Sequence, residues 1–186
     1  MMNLKTIGMG TAVLVCAAAA FVGVGLAQEG SDTKGLTEAV CVLTPTEGSK
    51  VRGTVKFSQK DDGVHIEAHV WGLSPNGKHG FHIHEFGDIT ASDGTSTGGH
   101  FNPDGHPHAG PGSEKRHVGD LGNLEADGSG HAMYKRVDKY VTIHGEHSIL
   151  SRGMVIHAGE DDMESQPTGA AGARLAVGVI GLAKAE

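Results

Sequence analysis

The chain has 186 residues, enough for one domain with its own core, and a formal net charge of −7. An acidic chain without a basic run or a phosphate-binding glycine loop argues against nucleic acid and anionic membrane surfaces as partners. Thirty glycines without a collagen-like period favour short strands joined by tight turns, and thirteen histidines stand out as candidate metal ligands or proton carriers.

Residues 1–27 have the pattern of a secretory signal peptide. The basic start MMNLK precedes the apolar segment TIGMGTAVLVCAAAAFVGVG, and GLA before Gln28 fits a small-x-small cleavage site. Two alternatives are a membrane anchor, for which this Gly- and Ala-rich segment is marginal, and a lipid anchor at Cys16, where Val15 is larger than such sites normally carry. We therefore expect an exported protein, periplasmic or extracellular, whose domain spans residues 28–186 and has no membrane contact after signal removal.

Cysteine usage argues against a disulfide. Loss of residues 1–27 moves the formal charge from −7 to −8 and leaves Cys41 as the remaining cysteine, in the apolar run AVCVL. One cysteine cannot form an internal bridge, even in a compartment that permits them. We expect Cys41 to be a buried, inert thiol.

Strand-like segments then alternate with turn clusters. The segment VHIEAHVWGL alternates strictly, with its apolar residues on one face and His65, Glu67 and His69 on the other, which indicates a half-buried strand with a solvated outer face. LGNLEADGSGHAMYKRV predicts a hairpin across its Asp-Gly-Ser-Gly turn. Further strands are predicted in EAVCVLT, VRGTVKFSQ, KYVTIHG, HSILSRGMVIHAG and RLAVGVIGLA. The pattern predicts an all-β antiparallel sandwich or barrel of about eight strands.

The segment HGFHIHEFGD places His82 and His84 two positions apart, so both imidazoles point to the same face of a strand. Two long loops follow along the chain, residues 88–119 and 158–173. Loops of this length in a compact domain are normally functional or disordered. Imidazole-only coordination suits copper(II), and His157, at the end of the strand GMVIH, is a candidate third ligand.

The first long loop and the residue that follows it carry a second candidate site. Four histidines fall within 18 residues, and the candidates are His100, His106, His108, His117 and Asp120. A tetrahedral set of three imidazoles and one carboxylate suits zinc, and HVGD brings a histidine and an aspartate within reach of one ion. The alternative is a merely polar loop.

Taken together, the segments GFHIHEFGD, GGHFNP, HAGP, RHVGDLGN, MVIH and AGARLAVGVIG resemble the signature segments of copper/zinc superoxide dismutases, in the family's order and spacing. The resemblance covers about residues 39–183. It implies a Greek-key β-sandwich or barrel with two long functional loops, a homodimer, and bound copper and zinc.

The resemblance also implies roles for individual residues. Copper would be held by His82, His84, His100 and His157, and zinc by His100, His108, His117 and Asp120. Asp161 resembles the carboxylate that joins a copper histidine to a zinc histidine, a better match than Asp162. His106 has no ligand counterpart and is interpreted as loop surface.

The implied reaction is the conversion of superoxide to dioxygen and hydrogen peroxide by Cu(II)/Cu(I) cycling, with His100 bridging the two metals and donating a proton. Arg174 would dock the anionic substrate, since a guanidinium stays charged at any working pH. A different class of protein, a metal-buffering or metallochaperone-like domain, would hold both metals without consuming superoxide.

Two features depart from the family. Its usual disulfide is missing, because ITASDGTSTGG has no cysteine and Val177 stands where the family reads Leu-Ala-Cys. We expect packing to replace this bridge. The loop 158–173 also has no lysine or arginine, whereas many relatives carry basic residues there that steer the substrate.

Overall fold

The computed structural model describes residues 35–184, so the predicted signal peptide lies outside the described residues. These residues form eight antiparallel strands in the order β5-β4-β7-β8-β1-β2-β3-β6. The predicted all-β fold is confirmed as a nearly closed barrel. The strands are β1 (Glu38–Pro45), β2 (Arg52–Lys60), β3 (Gly63–Trp71), β4 (Lys78–His84), β5 (Asp120–Glu125), β6 (His131–Asp138), β7 (Gly153–His157) and β8 (Arg174–Leu182).

Alternation of apolar and polar residues builds the barrel wall. In β3 the apolar side chains Val64, Ile66, Ala68 and Val70 are buried, and the polar residues between them face outward, as the sequence predicts. The interior is filled by large fully buried side chains, which include Phe57, Phe81, Leu43, Ile66, Ile83, Leu121, Leu124, Ile156 and Ile180.

The hairpin predicted between β5 and β6 is wrong beyond its turn. Asp127 accepts hydrogen bonds from the N–H of Ser129 (2.8 Å) and His131 (3.1 Å), which forms the expected turn. After the bridge Ala126↔Ala132 the strands separate, because β5 pairs with β4 and β6 pairs with β3. They are the two end strands of the sheet.

The strand predicted in KYVTIHG is also absent from the described structure. Residues 139–145 form a loop. Their alternation of apolar and polar residues arises because Val141 and Ile143 are buried in the core (1 % and 0 % exposed) and anchor the loop there. Thr142 makes one isolated parallel bridge with Ser148. The strand predicted across residues 147–159 is shortened to β7.

The arrangement of β4, β7 and β8 positions the histidine-rich end of the barrel. β7 lies between the other two strands, and its last residue, His157, is the register partner of Arg174 in β8. β4 ends at His84, from which the chain enters the first long loop. Within residues 35–184, no helix has the length and apolar character needed to cross a membrane.

Candidate metal centre

β4 presents His82 and His84 on the face of the sheet that the long loops cover. Phe81 and Ile83, between and beside them, point into the core and are fully buried. Both histidines are also buried, at 0 % and 1 % exposure. Their ring centroids lie 6.5 Å apart, as expected for two residues on one strand face.

A first group of four buried imidazoles brings together β4, β7 and the first loop. Its members have ligand atoms within 4.8 Å of one another and are His82, His84, His100 and His157. The Nε2 atoms of His84 and His157 are 3.3 Å apart. Their Nδ1 atoms donate to the carbonyls of Gly98 (2.9 Å) and Gly172 (3.0 Å), which leaves both Nε2 lone pairs facing the group.

A second group converges on one carboxylate oxygen. Oδ1 of Asp120 lies 2.8 Å from Nδ1 of His100, 3.0 Å from Nδ1 of His108 and 3.2 Å from Nδ1 of His117, the last without hydrogen-bond geometry. A tetrahedral zinc ion with bonds of about 2.0 Å separates its ligands by about 3.3 Å. The spacing and the His₃Asp donor set therefore fit zinc.

His100 belongs to both groups. Its Nδ1 faces Asp120, and its Nε2 is buried without a hydrogen-bond partner among the described residues. Nδ1 of His82 is buried and unpartnered in the same way. Buried polar atoms are normally paired, so these orphaned nitrogens indicate positions where a metal ion completes the site. Two flanking dications would also favour loss of both ring protons of His100.

Asp161 connects the two groups through one histidine of each. Its Oδ2 accepts from Nε2 of His82 (2.8 Å) and its Oδ1 from Nε2 of His108 (2.9 Å). Asn123 holds the Asp161 backbone with two hydrogen bonds of 2.8 Å each. A Cβ at Gly169, whose φ is +66°, would lie 1.9 Å from Oδ1 of Asp161. The loop backbone therefore contacts the carboxylate directly and leaves no room for a side chain at this position.

Asp162 makes no hydrogen bond to a histidine of either group. It is exposed and accepts hydrogen bonds from the backbone of Glu164 (3.0 Å) and Ser165 (2.8 Å) in its own loop. His106 lies outside both groups, half-buried, with its ring centroid 6.5 Å from that of Tyr140.

Arg174 lies beside the first group. Its guanidinium donates to the carbonyl of Gly94, to Oγ1 of Thr97 (2.8 Å) and to the carbonyl of Gly98 (2.7 Å). A guanidinium has five N–H donors, so two remain without an acceptor among the described residues. The carbonyl of Gly98 also accepts from His84, which links the guanidinium to the ligand group through one backbone oxygen.

Burial keeps three imidazoles of the first group neutral. It lowers the pKa of His82 to about 3 and that of His157 to about 4, and the pKa of His84 lies well below its ordinary value. Neutral imidazole is the form that binds a metal. Burial also opposes the charged form of His108, but Asp120 and Asp161 outweigh it and raise the pKa of this ring to about 9.

Packing occupies the place where the family has its disulfide. A Cβ at Gly94 would lie 2.7 Å from Cγ1 of Val177, so the loop backbone rests directly on this side chain. Val177 is 4 % exposed. The N–H of Glu47 also donates to the carbonyl of Ser92 (2.8 Å), which ties the loop to the turn that follows β1. Cys41 is buried and free, as expected.

Several residues that hold the backbone of the candidate ligands were not predicted from the sequence. Gln166 exchanges two hydrogen bonds of 2.8 Å with the backbone of His108. Arg116 is buried, donates to the carbonyl of His117 (2.9 Å) and pairs with both carboxylate oxygens of Asp138 (2.8 and 2.7 Å). The sequence held one signal for this pair, an arginine directly before HVGD.

The second loop carries acidic residues near this end of the barrel. Glu160 of this loop forms an ion pair with Lys78 of β4 (2.9 Å). The positive charge of the pair belongs to the strand, because the loop itself has no lysine or arginine. Both side chains are about half-exposed, and such pairs contribute little to stability.

Comparison with known proteins gives a consistent result. The family model for copper/zinc superoxide dismutase (SODC) matches residues 51–180. A "Superoxide dismutase [Cu-Zn]" of Paramecium bursaria Chlorella virus 1 is 46 % identical over 156 residues, which cover 80 % of this chain and 82 % of the relative. A crystal structure described as that of the clock protein EA4 is 40 % identical, with a TM-score of 0.73, covering 80 % of this chain and 96 % of the other.

Proposed function

Because this chain belongs to the copper/zinc superoxide dismutase family, we propose that its two histidine groups are the copper and zinc sites of the enzyme. The protein is an oxidoreductase that converts two superoxide anions to dioxygen and hydrogen peroxide, with copper and zinc as cofactors. Copper is held by His82, His84, His100 and His157, and zinc by His100, His108, His117 and Asp120.

One observation carries the proposal. A single buried imidazole, His100, belongs to both groups, with Nδ1 toward Asp120 and an unpartnered Nε2 on the other side. When bound, copper supplies the one-electron exchange with superoxide, and zinc, which has no redox change, holds His100 in place. Storage of the two ions does not by itself require an imidazole shared between them.

Arg174 binds the substrate. Its guanidinium is anchored by Gly94, Thr97 and Gly98 and keeps two free donors for an anion. A chain with a formal charge of −7 repels the superoxide anion at long range, so a local positive charge beside the copper ligands is needed.

His100 supplies a proton. One superoxide is oxidised to dioxygen, and the other is reduced and takes up two protons to become hydrogen peroxide. Nε2 of His100 is buried without a partner, and His100 is the one imidazole that belongs to both groups, so it holds one of these protons and hands it to the reduced product. The second proton comes from water.

The enzyme is exported. The support is the sequence of residues 1–27, with its basic start, apolar segment and small-x-small site. It acts in the periplasm or outside the cell. N-terminal sequencing of the secreted protein would give Gln28 as the first residue, and a chain that begins at residue 1 would contradict this.

The enzyme works as a homodimer through the surface around Phe86 and Val179. These apolar side chains are 49 % and 39 % exposed, and a Cβ at Gly87, which follows Phe86, would lie 3.0 Å from Cγ1 of Val179. Exposed apolar residues that lie together mark association sites. Val179→Lys should shift sedimentation from dimer to monomer; an unchanged sedimentation coefficient would contradict this interface.

The shared histidine is tested with metal-loaded protein. Copper and zinc are counted per chain and superoxide consumption is followed directly. Cobalt(II) is then placed in the zinc site, where a common imidazolate couples it magnetically to copper(II) and suppresses the copper EPR signal. An inactive protein that holds both metals, or a copper signal unaffected by cobalt, would refute the proposal.

A further inference from the structure

We propose that His69, His131 and Met133 form a second metal site, on the outer face of the barrel beside Trp71, for a soft monovalent cation such as Cu(I). The four residues belong to the paired strands β3 and β6. In this ladder His69 is directly opposite Met133, and Trp71 is directly opposite His131. The site therefore consists of two adjacent cross-strand pairs on one face.

The side chains lie close together and are accessible. The ring centroid of Trp71 is 4.9 Å from that of His131 and 6.1 Å from that of His69, and the two imidazoles are 5.8 Å apart. Met133 is 58 % exposed and Trp71 44 % exposed. A cation can reach Met133 and Trp71 from solvent without movement of the backbone, whereas Nε2 of His131 is itself buried and becomes available when this ring turns.

The imidazoles are not committed to strong hydrogen bonds. Nε2 of His131 has no partner among residues 35–184, and its Nδ1 is 3.9 Å from Asp127. Nε2 of His69 is 3.5 Å from Glu67, at the limit of a hydrogen bond. The rings are nearly parallel, so a shared ion requires rotation about their broad χ2 torsions, which is inexpensive.

The donor set selects the ion. Imidazole binds copper and zinc alike, but a thioether is a soft ligand that favours Cu(I) over zinc. The indole face of Trp71 adds attraction for a cation held above it. The carboxylate of Asp127, at the edge of the cluster, adds negative potential in support of a bound cation, whereas Glu67 is paired with Lys135 at 2.9 Å.

The surface cluster is separate from the buried copper and zinc groups. It uses outward-facing residues of β3 and β6, whereas the buried groups use β4, β5, β7 and the loops. The inference does not depend on the dismutase reaction, and its outcome leaves the assignment of the buried sites unchanged.

Trp71 reports on the site because it is the single tryptophan of the chain. Enzyme loaded with copper and zinc is titrated with Ag⁺, a redox-inert analogue of Cu(I), in chloride-free buffer. We expect a saturable change in Trp71 fluorescence that accompanies one additional bound silver per chain. Met133→Leu and His131→Asn should each lose this change.

His65→Asn is the matched control. His65 is another exposed imidazole on the same face of β3, four residues from His69 and paired with Asp62 at 2.8 Å. This variant should respond as the unaltered protein does. Any silver bound by Cys41 is common to all variants, and unchanged copper, zinc and dismutase activity shows that each has folded.

Three results would overturn the proposal. The first is a titration without a Trp71 response. The second is a response that survives in both Met133→Leu and His131→Asn. The third is a response that Zn²⁺ produces at the same concentration as Ag⁺ and that Met133→Leu leaves intact, which would indicate a site without selectivity for soft ions.

Discussion

Arg174 and His157 are register partners at the end of the β7–β8 ladder, so a cation and a ligand imidazole leave neighbouring strands at the same level. Thr97 and Gly98 then fix the guanidinium with hydrogen bonds of 2.8 and 2.7 Å. The positive charge beside the copper ligands is thus positioned by both the sheet and the first long loop. This relationship gives the first prediction.

Arg174→Ala should lower kcat/KM for superoxide about tenfold at low ionic strength, a loss of about 1.4 kcal/mol in transition-state stabilisation. The reason is the loss of a local attraction for the anion, which salt screens, so the difference should shrink as salt is added. Pulse radiolysis or stopped-flow kinetics at several salt concentrations measures it. Copper and zinc content should not change.

Two variants separate charge from position. Arg174→Lys keeps the charge but loses the planar fork, so it should recover part of the activity. Lys56→Ala removes one exposed positive charge from the outer face of β2 and should have little effect. Equal losses in Arg174→Ala and Lys56→Ala would mean that only net charge matters.

Asp161→Asn should weaken both metal sites. The carboxylate accepts from His82 and His108 at 2.8 and 2.9 Å, and an amide cannot accept with both of its ends. Loss of such a partner typically costs about 10- to 100-fold in metal affinity. Competition with chelators of known affinity measures copper and zinc separately. Asp162→Asn, one residue away and exposed, is the control and should leave both affinities unaltered.

Asp138 makes stability depend on acid pH. Burial alone would raise the pKa of this carboxyl, but the Arg116 guanidinium and the N–H groups of Val141, Arg136 and Tyr140 hold it below its ordinary value. The unfolded chain therefore binds the proton first as the pH falls. The contribution is complete above about pH 4 and is lost as the pH falls further, through the folded pKa.

Asp138→Asn should lower the free energy of unfolding at pH 7 by about 3 kcal/mol, since it leaves the buried Arg116 without its counter-charge. It should also flatten the loss of stability as the pH falls below about 4. Urea unfolding of metal-free protein at these pH values measures both effects. Asp62→Asn removes an exposed carboxylate and serves as the control. A variant as acid-sensitive as the original protein would show that other groups dominate.

Reducing agents should leave the melting temperature unchanged. Residues 35–184 contain one cysteine, Cys41, which is buried and free, and the loop rests on Val177 through Gly94. Val177→Ala should instead destabilise the protein by about 2 kcal/mol, because two buried methyl groups are lost and a cavity remains. Calorimetric melting with and without dithiothreitol tests both statements. A clear drop on reduction would contradict the first of them.

Local pattern predicted the elements that depend on one strand alone. The alternation in β3 and the two-residue spacing of His82 and His84 follow from strand geometry and need no knowledge of distant contacts. The partners of β5 and β6 could not be predicted in this way. Their turn has hairpin chemistry, but which strand each one bonds depends on how the whole sheet closes.

The candidate ligands were visible because histidines are rare in loops, whereas the residues that position them were not. Asn123, in β5, meets the Asp161 backbone only when the second loop packs onto the sheet, and Gln166 meets the His108 backbone only when the two loops pack together. Nothing in an isolated amide residue signals such a contact. Val141 and Ile143 show the opposite error, since their alternation resembles a strand but anchors a loop.

The contact of Gly169 with the oxygen of Asp161 restricts which amino-acid substitutions this protein can accept. Any side chain at position 169 would displace the aspartate that orients a ligand of each ion, so a single amino-acid substitution there would impair both metal sites at once. Exposed positions of the same loop whose side chains contact no ligand, such as Glu164, carry no such restriction. Natural variation in this segment should therefore accumulate around an unchanging glycine.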